Sequence, residues 1–226
     1  VRPQARNAER GSGVRLQNGL FITLEGADGS GKSTQADLLA NALAATGYEL
    51  VRLREPGGTR ISEKIRSLLL DPADECELFL YEASRAQLVR QVIEPALARG
   101  AIVLCDRFFD STYAYQAGGR GLDEKSVRLA NTLGSCGVTP SRTLVFDLDP
   151  ASALKRATKG GADRLEAEGV SLQTRVREAY LRLAKEEPHR VRLIDAAADI
   201  ATVHARVIAA LSDLIPELSQ EAAHVL

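Results

Sequence analysis

Gly26-Ala27-Asp28-Gly29-Ser30-Gly31-Lys32-Ser33-Thr34 is the stretch on which the reading of this chain turns. Glycine, four residues, then Gly-Lys-Ser/Thr is the pattern of a phosphate-cradling loop. Its glycines let main-chain N–H groups close around phosphate oxygens with no Cβ in the way. Phe21-Ile22-Thr23-Leu24 before it is a short apolar run, as a buried parallel strand requires. After it Leu38, Leu39, Ala42 and Leu43 recur at helical spacing, and Gly47 marks the stop. The prediction is strand, glycine-rich turn, helix, with the helix start adding free N–H groups and a positive dipole end. Lys32 is placed to reach the terminal phosphates and the Ser33 hydroxyl to join a Mg²⁺ shell. A flexible Gly/Ser turn would share the letters but not the flanking strand and helix. The loop points to a nucleoside triphosphate and does not name the acceptor.

The chain has 226 residues and a formal net charge of −1, so it is sized for one domain and carries no field for general nucleic-acid binding. Cys76, Cys105 and Cys136 are scattered and odd in number, which argues against a zinc site or a disulfide framework and fits a cytoplasmic protein. No apolar run approaches the ~18 residues that mark a membrane span. Residues 1–18 carry Arg2, Arg6, Arg10 and Arg15 against Glu9 alone, with few apolar side chains. They read as a disordered extension, lacking the aromatics of a nucleic-acid arm.

Residues 49–53 read as a second strand leading into Arg54-Glu55-Pro56-Gly57-Gly58-Thr59. Charges just past a strand end lie where open α/β sheets bind ligands, although a solvated turn would have the same composition. Residues 61–70 are helical by pattern and include Arg66. Residues 75–99 form a longer helix expected to bend at Pro95. Within it Tyr81 and Arg85 share a face: a stacking platform for a planar ligand, or a surface cation–π pair. Residues 101–105 are a buried strand ending in Asp106-Arg107-Phe108, an acid placed to meet Mg²⁺ directly or through water. Ser111 through Gly121 is polar and aromatic, and its glycines read as an unobstructed loop. Residues 123–132 form a helix and 143–148 a fourth strand. A helix begins at 151. Gly160 and Gly161 then interrupt a basic segment, with a lid at about 156–169 as one reading and a solvated loop as the other. A helix at 170–187, a fifth strand at 190–195 and a closing helix at 200–215 complete the chain, and 216–226 is expected to fray. This alternation predicts a three-layer α/β/α fold with a five-stranded parallel sheet over residues 19–215.

Over roughly 19–215 the chain resembles the bacterial thymidylate kinases, P-loop members of the nucleoside monophosphate kinases. The matching pieces are the loop at 26–34, Arg54 through Thr59, Asp106-Arg107-Phe108, Ser111 through Gly121, and Asp163-Arg164-Leu165-Glu166. The resemblance implies ATP and dTMP as substrates, with Mg²⁺. Asp28 would contact the deoxyribose 3′-OH, and Glu55 would lie near metal and phosphates. Arg66 and Arg107 would clamp the acceptor phosphate, and Arg85 would bond the thymine edge. Tyr81, standing where Phe is usual, would stack on the ring. Thr112 and Gln116 would read the base further, and Tyr115 would crowd a ribose 2′-OH. Ser33, Asp106 and Glu55 would serve the metal. Gly29 stands where one branch of the family has a catalytic Arg, so Lys159 and Arg164 in the lid, with Arg156 third, are the candidate transition-state cations. A homodimer without nucleic-acid or membrane partners is implied as well. Two alternatives stay open on the residues: a kinase for another nucleoside monophosphate or nucleoside, and a non-catalytic nucleotide-binding module.

Overall fold

A run of residues that alternates strand with helix can bury both faces of its strands only by wrapping helices over a parallel sheet. The computed structural model does this, and describes residues 16–69, 73–157 and 169–218. Strands β1 (Leu20–Gly26), β2 (Leu50–Arg54), β3 (Ile102–Asp106), β4 (Arg142–Asp147) and β5 (Val191–Asp195) form one sheet in the order β2-β3-β1-β4-β5, every pair parallel. β1 therefore lies at the centre. The order reverses beside it, and the loops that follow β1 and β3 share one edge at this switch point.

Helix α1 (Lys32–Ala45) packs Ala36, Leu39, Ala40 and Leu43 onto Ile22, Leu24, Leu104, Leu144 and Phe146. α2 (Arg60–Leu68) begins at Thr59, whose hydroxyl accepts from Ser62 N at 3.1 Å and closes the first turn. α3 (Asp74–Leu88) and α4 (Glu94–Ala98) are one rod joined through a wider, π-helical turn at Val89–Ile93. The irregularity thus falls just before Pro95. A proline cannot donate to the carbonyl four residues back, and adding a residue to the turn relieves the clash of its ring.

Phe109–Thr112 (α5) runs into a second π-helical stretch at Tyr113–Gly119. This corrects the expectation of an unobstructed loop around Gly118 and Gly119. A Cβ on Gly118 would fall 2.5 Å from Ala179 Cβ, and one on Gly119 2.8 Å from Leu172 Cδ1. The two glycines let the segment lie directly on α8 (Gly169–Glu186), with Tyr113, Tyr115, Val176 and Tyr180 in the same buried cluster. α6 (Glu124–Gly134) is capped by Asp123, and α7 (Pro150–Ala157) follows β4. α9 (Ile200–Ala209) is capped by Asp199 and ends earlier than the closing helix read from the sequence. The chain beyond it is nevertheless packed as far as it is described. Ile215 and Leu218 are buried, and Tyr48 Oη donates to Glu217 at 3.0 Å. At the other end Leu16 N donates to Gly100 O at 3.2 Å. The remaining residues of both terminal segments, and most of the expected lid, lie outside the described residues. Among the described residues no helix is long and apolar enough to cross a membrane.

Candidate active site

The loop between β1 and α1 takes the conformation its glycines permit. Gly26, Gly29 and Gly31 all have positive φ (129°, 80° and 92°). A Cβ on Gly26 would fall 2.6 Å from Phe146 O of the neighbouring strand. At Gly29 the conflict is sharper: a Cβ would meet Ala153 O at 2.1 Å and Ala157 N at 2.9 Å. Helix α7 therefore rests its backbone on the loop, which accounts for the absence of a side chain at 29. Lys32 Nζ donates to Gly26 O and Ala27 O, each at 2.8 Å, spanning the loop from below. Burial, and next the Arg107 charge, lower its pKa to about 8. The buried Ser30 hydroxyl has no partner among the described residues.

Arg107, just past the end of β3, has φ +70°, a conformation that costs a non-glycine residue of order 1–3 kcal/mol and is retained only where the surroundings fix it. Its N–H donates to Leu24 O at 3.0 Å. The guanidinium bonds Asp28 and donates from Nη1 to Ser111 Oγ at 3.0 Å, and it lies 5.1 Å from the centre of the Tyr115 ring. Arg107 holds the Asp28 carboxyl down at about 2, so Asp28 is ionised throughout the neutral range.

Two cavities meet here. One, of about 420 Å³, is lined by Tyr81, Arg85, Thr112, Tyr115 and Gln116, among others. The second, of about 760 Å³, is lined by Ser30 through Gln35 and by Asp106 and Arg156. Asp28, Gly29, Glu55, Arg66 and Arg107 line both and form the shared wall. Ala27 and Gly26 support the loop from behind, and Ser33 and Thr34 are exposed at the start of α1. Every site residue expected from the sequence and described in the structure is thus in this region. Lys159 and Arg164 are outside the described residues. Arg156 donates to Ala196 O at 3.4 Å on the rim of the second cavity.

Arg85 is 1% exposed at the floor of the first cavity. Nε donates to Glu55 Oε2 at 2.9 Å, Nη1 bonds Glu82 and Asn131, and Nη2 donates to Thr112 Oγ1 at 2.8 Å. A guanidinium has five N–H donors, so this arrangement leaves one at Nη2. Tyr81 is partly exposed along the same wall. Burial raises the Tyr115 hydroxyl to about 12, so it faces the cavity as a neutral phenol. Gln116 Nε2 donates to Glu77 Oε1 at 2.8 Å, and Arg120 bonds the same carboxylate. Because Glu77 only accepts, it fixes which end of the Gln116 amide carries the oxygen. Glu55 follows β2 and precedes a cis Glu55–Pro56 bond. Burial raises its carboxyl to about 7 despite Arg85. Among the described residues its buried Oε1 has no partner, and neither has Asp106 Oδ1. Arg66 Nη1 donates to Pro56 O at 3.2 Å.

Sequence reasoning passed over Glu25, Glu77 and Arg120. Glu25 is fully buried, with Phe108 N donating to its Oε1 at 2.7 Å and the Ser111 and Tyr180 hydroxyls donating to Oε2. The available signal was a charged residue inside an apolar parallel strand. Glu77 and Arg120 carried none, since each looks like an ordinary helix or loop charge until the fold brings them together.

Comparison with known proteins bears on this arrangement. The family model described as thymidylate kinase matches residues 24–207. A thymidylate kinase of Pseudomonas syringae pv. tomato is 50% identical over 206 residues, covering 88% of this chain and 96% of that protein. One from Caldanaerobacter subterraneus subsp. tengcongensis is 45% identical over 201 residues, covering 87% and 97%. The crystal structure of thymidylate kinase from Ehrlichia chaffeensis superposes with a TM-score of 0.72 at 36% identity, covering 86% of this chain and 99% of that one.

Proposed function

The chain belongs to the thymidylate kinase family and so phosphorylates dTMP, and we propose how its residues divide the transfer of the γ-phosphoryl group from ATP. The observation that carries this reading is the wall common to the two cavities, in which the loop of one site and the arginines of the other stand side by side. ATP occupies the second cavity, its phosphates in the main-chain cradle of Gly26 through Thr34 with Lys32 turned toward them. dTMP occupies the first. Tyr81 stacks on thymine, the remaining Nη2 donor of Arg85 meets a ring carbonyl, and Thr112 and Gln116 address the rest of the base edge. Asp28 accepts from the 3′-OH, and Tyr115 fills the space a 2′-OH would need. Arg66 and Arg107 hold the acceptor phosphate in line with the donor.

The acceptor is already an anion, so the barrier is mainly one of bringing like charges together, and positioning with charge neutralisation supplies the catalysis. Mg²⁺ fits the donor set. Asp106 and Glu55 each keep a buried carboxylate oxygen without a partner among the described residues, and the Ser33 hydroxyl is exposed at the helix start. Among the described residues no three acidic, His or Cys side chains form a cage, as suits an ion that keeps its waters and leans on phosphate oxygens. Bound there, Mg²⁺ would neutralise phosphate charge. Lys159 and Arg164 follow the helix that rests on Gly29, and we assign them the transition-state cation.

α3 and α6 pack together and leave Phe79, Leu129 and Leu133 exposed at 67%, 63% and 70%. A homodimer formed through these helices would cover that apolar surface. A cytoplasmic location is in keeping with three free thiols and nucleotide substrates.

The reading is tested by coupled ADP release across dTMP, dUMP, dCMP and AMP, where dTMP should be preferred. Arg107→Ala should cut dTMP turnover by orders of magnitude while ATP still binds. Near-normal turnover in that variant removes the clamp from this site.

A further inference from the structure

We propose that Glu25 is a positioning residue for the acceptor phosphate, acting through Ser111 and the main chain of Phe108 to aim Arg107. The proposal rests on the reading of Arg107 as the phosphate clamp. Glu25 lines neither cavity. It sits one residue before the phosphate loop, in the centre strand, and it reaches across to the turn after β3.

Both of its oxygens are engaged on that turn. Oε1 takes the N–H of Phe108, the residue that follows the left-handed Arg107, at 2.7 Å. Oε2 takes the Ser111 hydroxyl and, at 2.8 Å, the Tyr180 hydroxyl from α8. With its proton given to Glu25, Ser111 Oγ presents a lone pair outward, and there it accepts from Arg107 Nη1 at 3.0 Å. The path from Glu25 to the guanidinium thus runs through one hydroxyl, which Glu25 orients together with Tyr180 Oη, 3.0 Å from Ser111 Oγ. A second path runs through the backbone, because anchoring Phe108 N pins the ψ side of the turn while Arg107 N is pinned on Leu24 O at 3.0 Å. Three donors converge on this one carboxyl group, the Phe108 amide on Oε1 and the Ser111 and Tyr180 hydroxyls on Oε2.

A carboxylate buried in a central parallel strand is costly unless hydrogen-bonded, and three bonds satisfy it. A merely packed role would need no link to Arg107. The structure supplies two, and both end at Arg107, which lines both cavities and bonds Asp28.

The experiment compares Glu25→Gln, Tyr180→Phe and Arg107→Ala. Tyr180 lines neither cavity, so its variant perturbs the carboxylate, and Ser111 Oγ 3.0 Å from its hydroxyl, without replacing a residue of either cavity wall. We expect KM for dTMP to rise about tenfold in Glu25→Gln and about threefold in Tyr180→Phe, with KM for ATP within twofold of the parent, as loss of one or two oriented hydrogen bonds implies. The effects should be less than additive in the double variant, since both act through one carboxylate. Should Arg107→Ala itself leave dTMP affinity unchanged, the clamp reading fails. If Arg107→Ala weakens dTMP but Glu25→Gln and Tyr180→Phe do not, or if they weaken ATP and dTMP alike, the positioning role of Glu25 is wrong. If Glu25→Gln fails to fold, Tyr180→Phe alone decides by the same comparison.

Discussion

Replacing Arg85 by methionine keeps most of the side-chain length and removes the charge from the floor of the acceptor cavity. In the parent chain Arg85, Glu55 and Glu82 are 1%, 4% and 9% exposed, so the cation is shared between two carboxylates with almost no water. Its loss leaves those two acids near each other and abolishes four donated bonds, to Glu55, Glu82, Asn131 and Thr112. Breaking a buried ion pair by deleting one partner costs about 3–5 kcal/mol. At about 2–4 °C per kcal/mol for a domain of this size, Tm should fall by about 6–20 °C. The loss should be larger at about pH 8 than at about pH 5.5, because Glu55, whose carboxyl burial raises to about 7, can take up a proton at the lower pH. Adding Glu82→Gln should recover part of the loss by removing one uncompensated charge. The rescued double variant should still bind dTMP poorly, since the donor at Nη2 is gone. Calorimetric melting at the two pH values, with dTMP titrations on the rescued protein, reads all of this. A drop in Tm under about 2 °C that is indifferent to pH would refute the view that this cation neutralises the floor.

Three further outcomes follow from the same geometry. Gly29→Ala should cost at least about 2 kcal/mol, combining the left-handed backbone with a Cβ forced against Ala153 O and Ala157 N, and should raise KM for ATP; chemical denaturation and steady-state kinetics measure it. Burial, then Asp110, lift the Glu25 carboxyl to about 7, while Arg107, Ser111 and Tyr180 pull the other way. The folded chain therefore holds that proton more tightly than the unfolded one, and its contribution to stability is present below about pH 4.5 and lost as the pH climbs through about 7. The Tm of Glu25→Gln relative to the parent should accordingly improve on going from about pH 5 to about pH 8. Lys159→Ala and Arg164→Ala should lower kcat more than they raise KM for dTMP, as loss of a contact made only in the transition state requires; rapid-quench kinetics distinguishes the two.

The phosphate loop was legible because its chemistry and its backbone demand the same letters. Glycines that free the amides also punctuate strand from helix. The end of β3 was legible for a related reason: an acid and an arginine directly after four apolar residues have no packing role. Strand order could not be read, and the acceptor-side residues that meet only because of it were named through the resemblance and not through spacing. Glu25 meets Ser111 and Tyr180 across 86 and 155 residues, and periodicity along one segment carries no information about such partners. The glycines at 118 and 119 misled because an absent side chain marks an open loop and a close helix contact equally well. Pro95 announced an irregularity but not that the wider turn would precede it.

Position 29 carries a consequence for how such chains diverge. The backbone of Ala153 and Ala157 already fills the volume in which a longer residue would begin, so an arginine on the phosphate loop and a helix seated upon it are rivals for one space. Any side chain at 29 therefore asks the helix to lift first, and with it the buttress that now holds the loop.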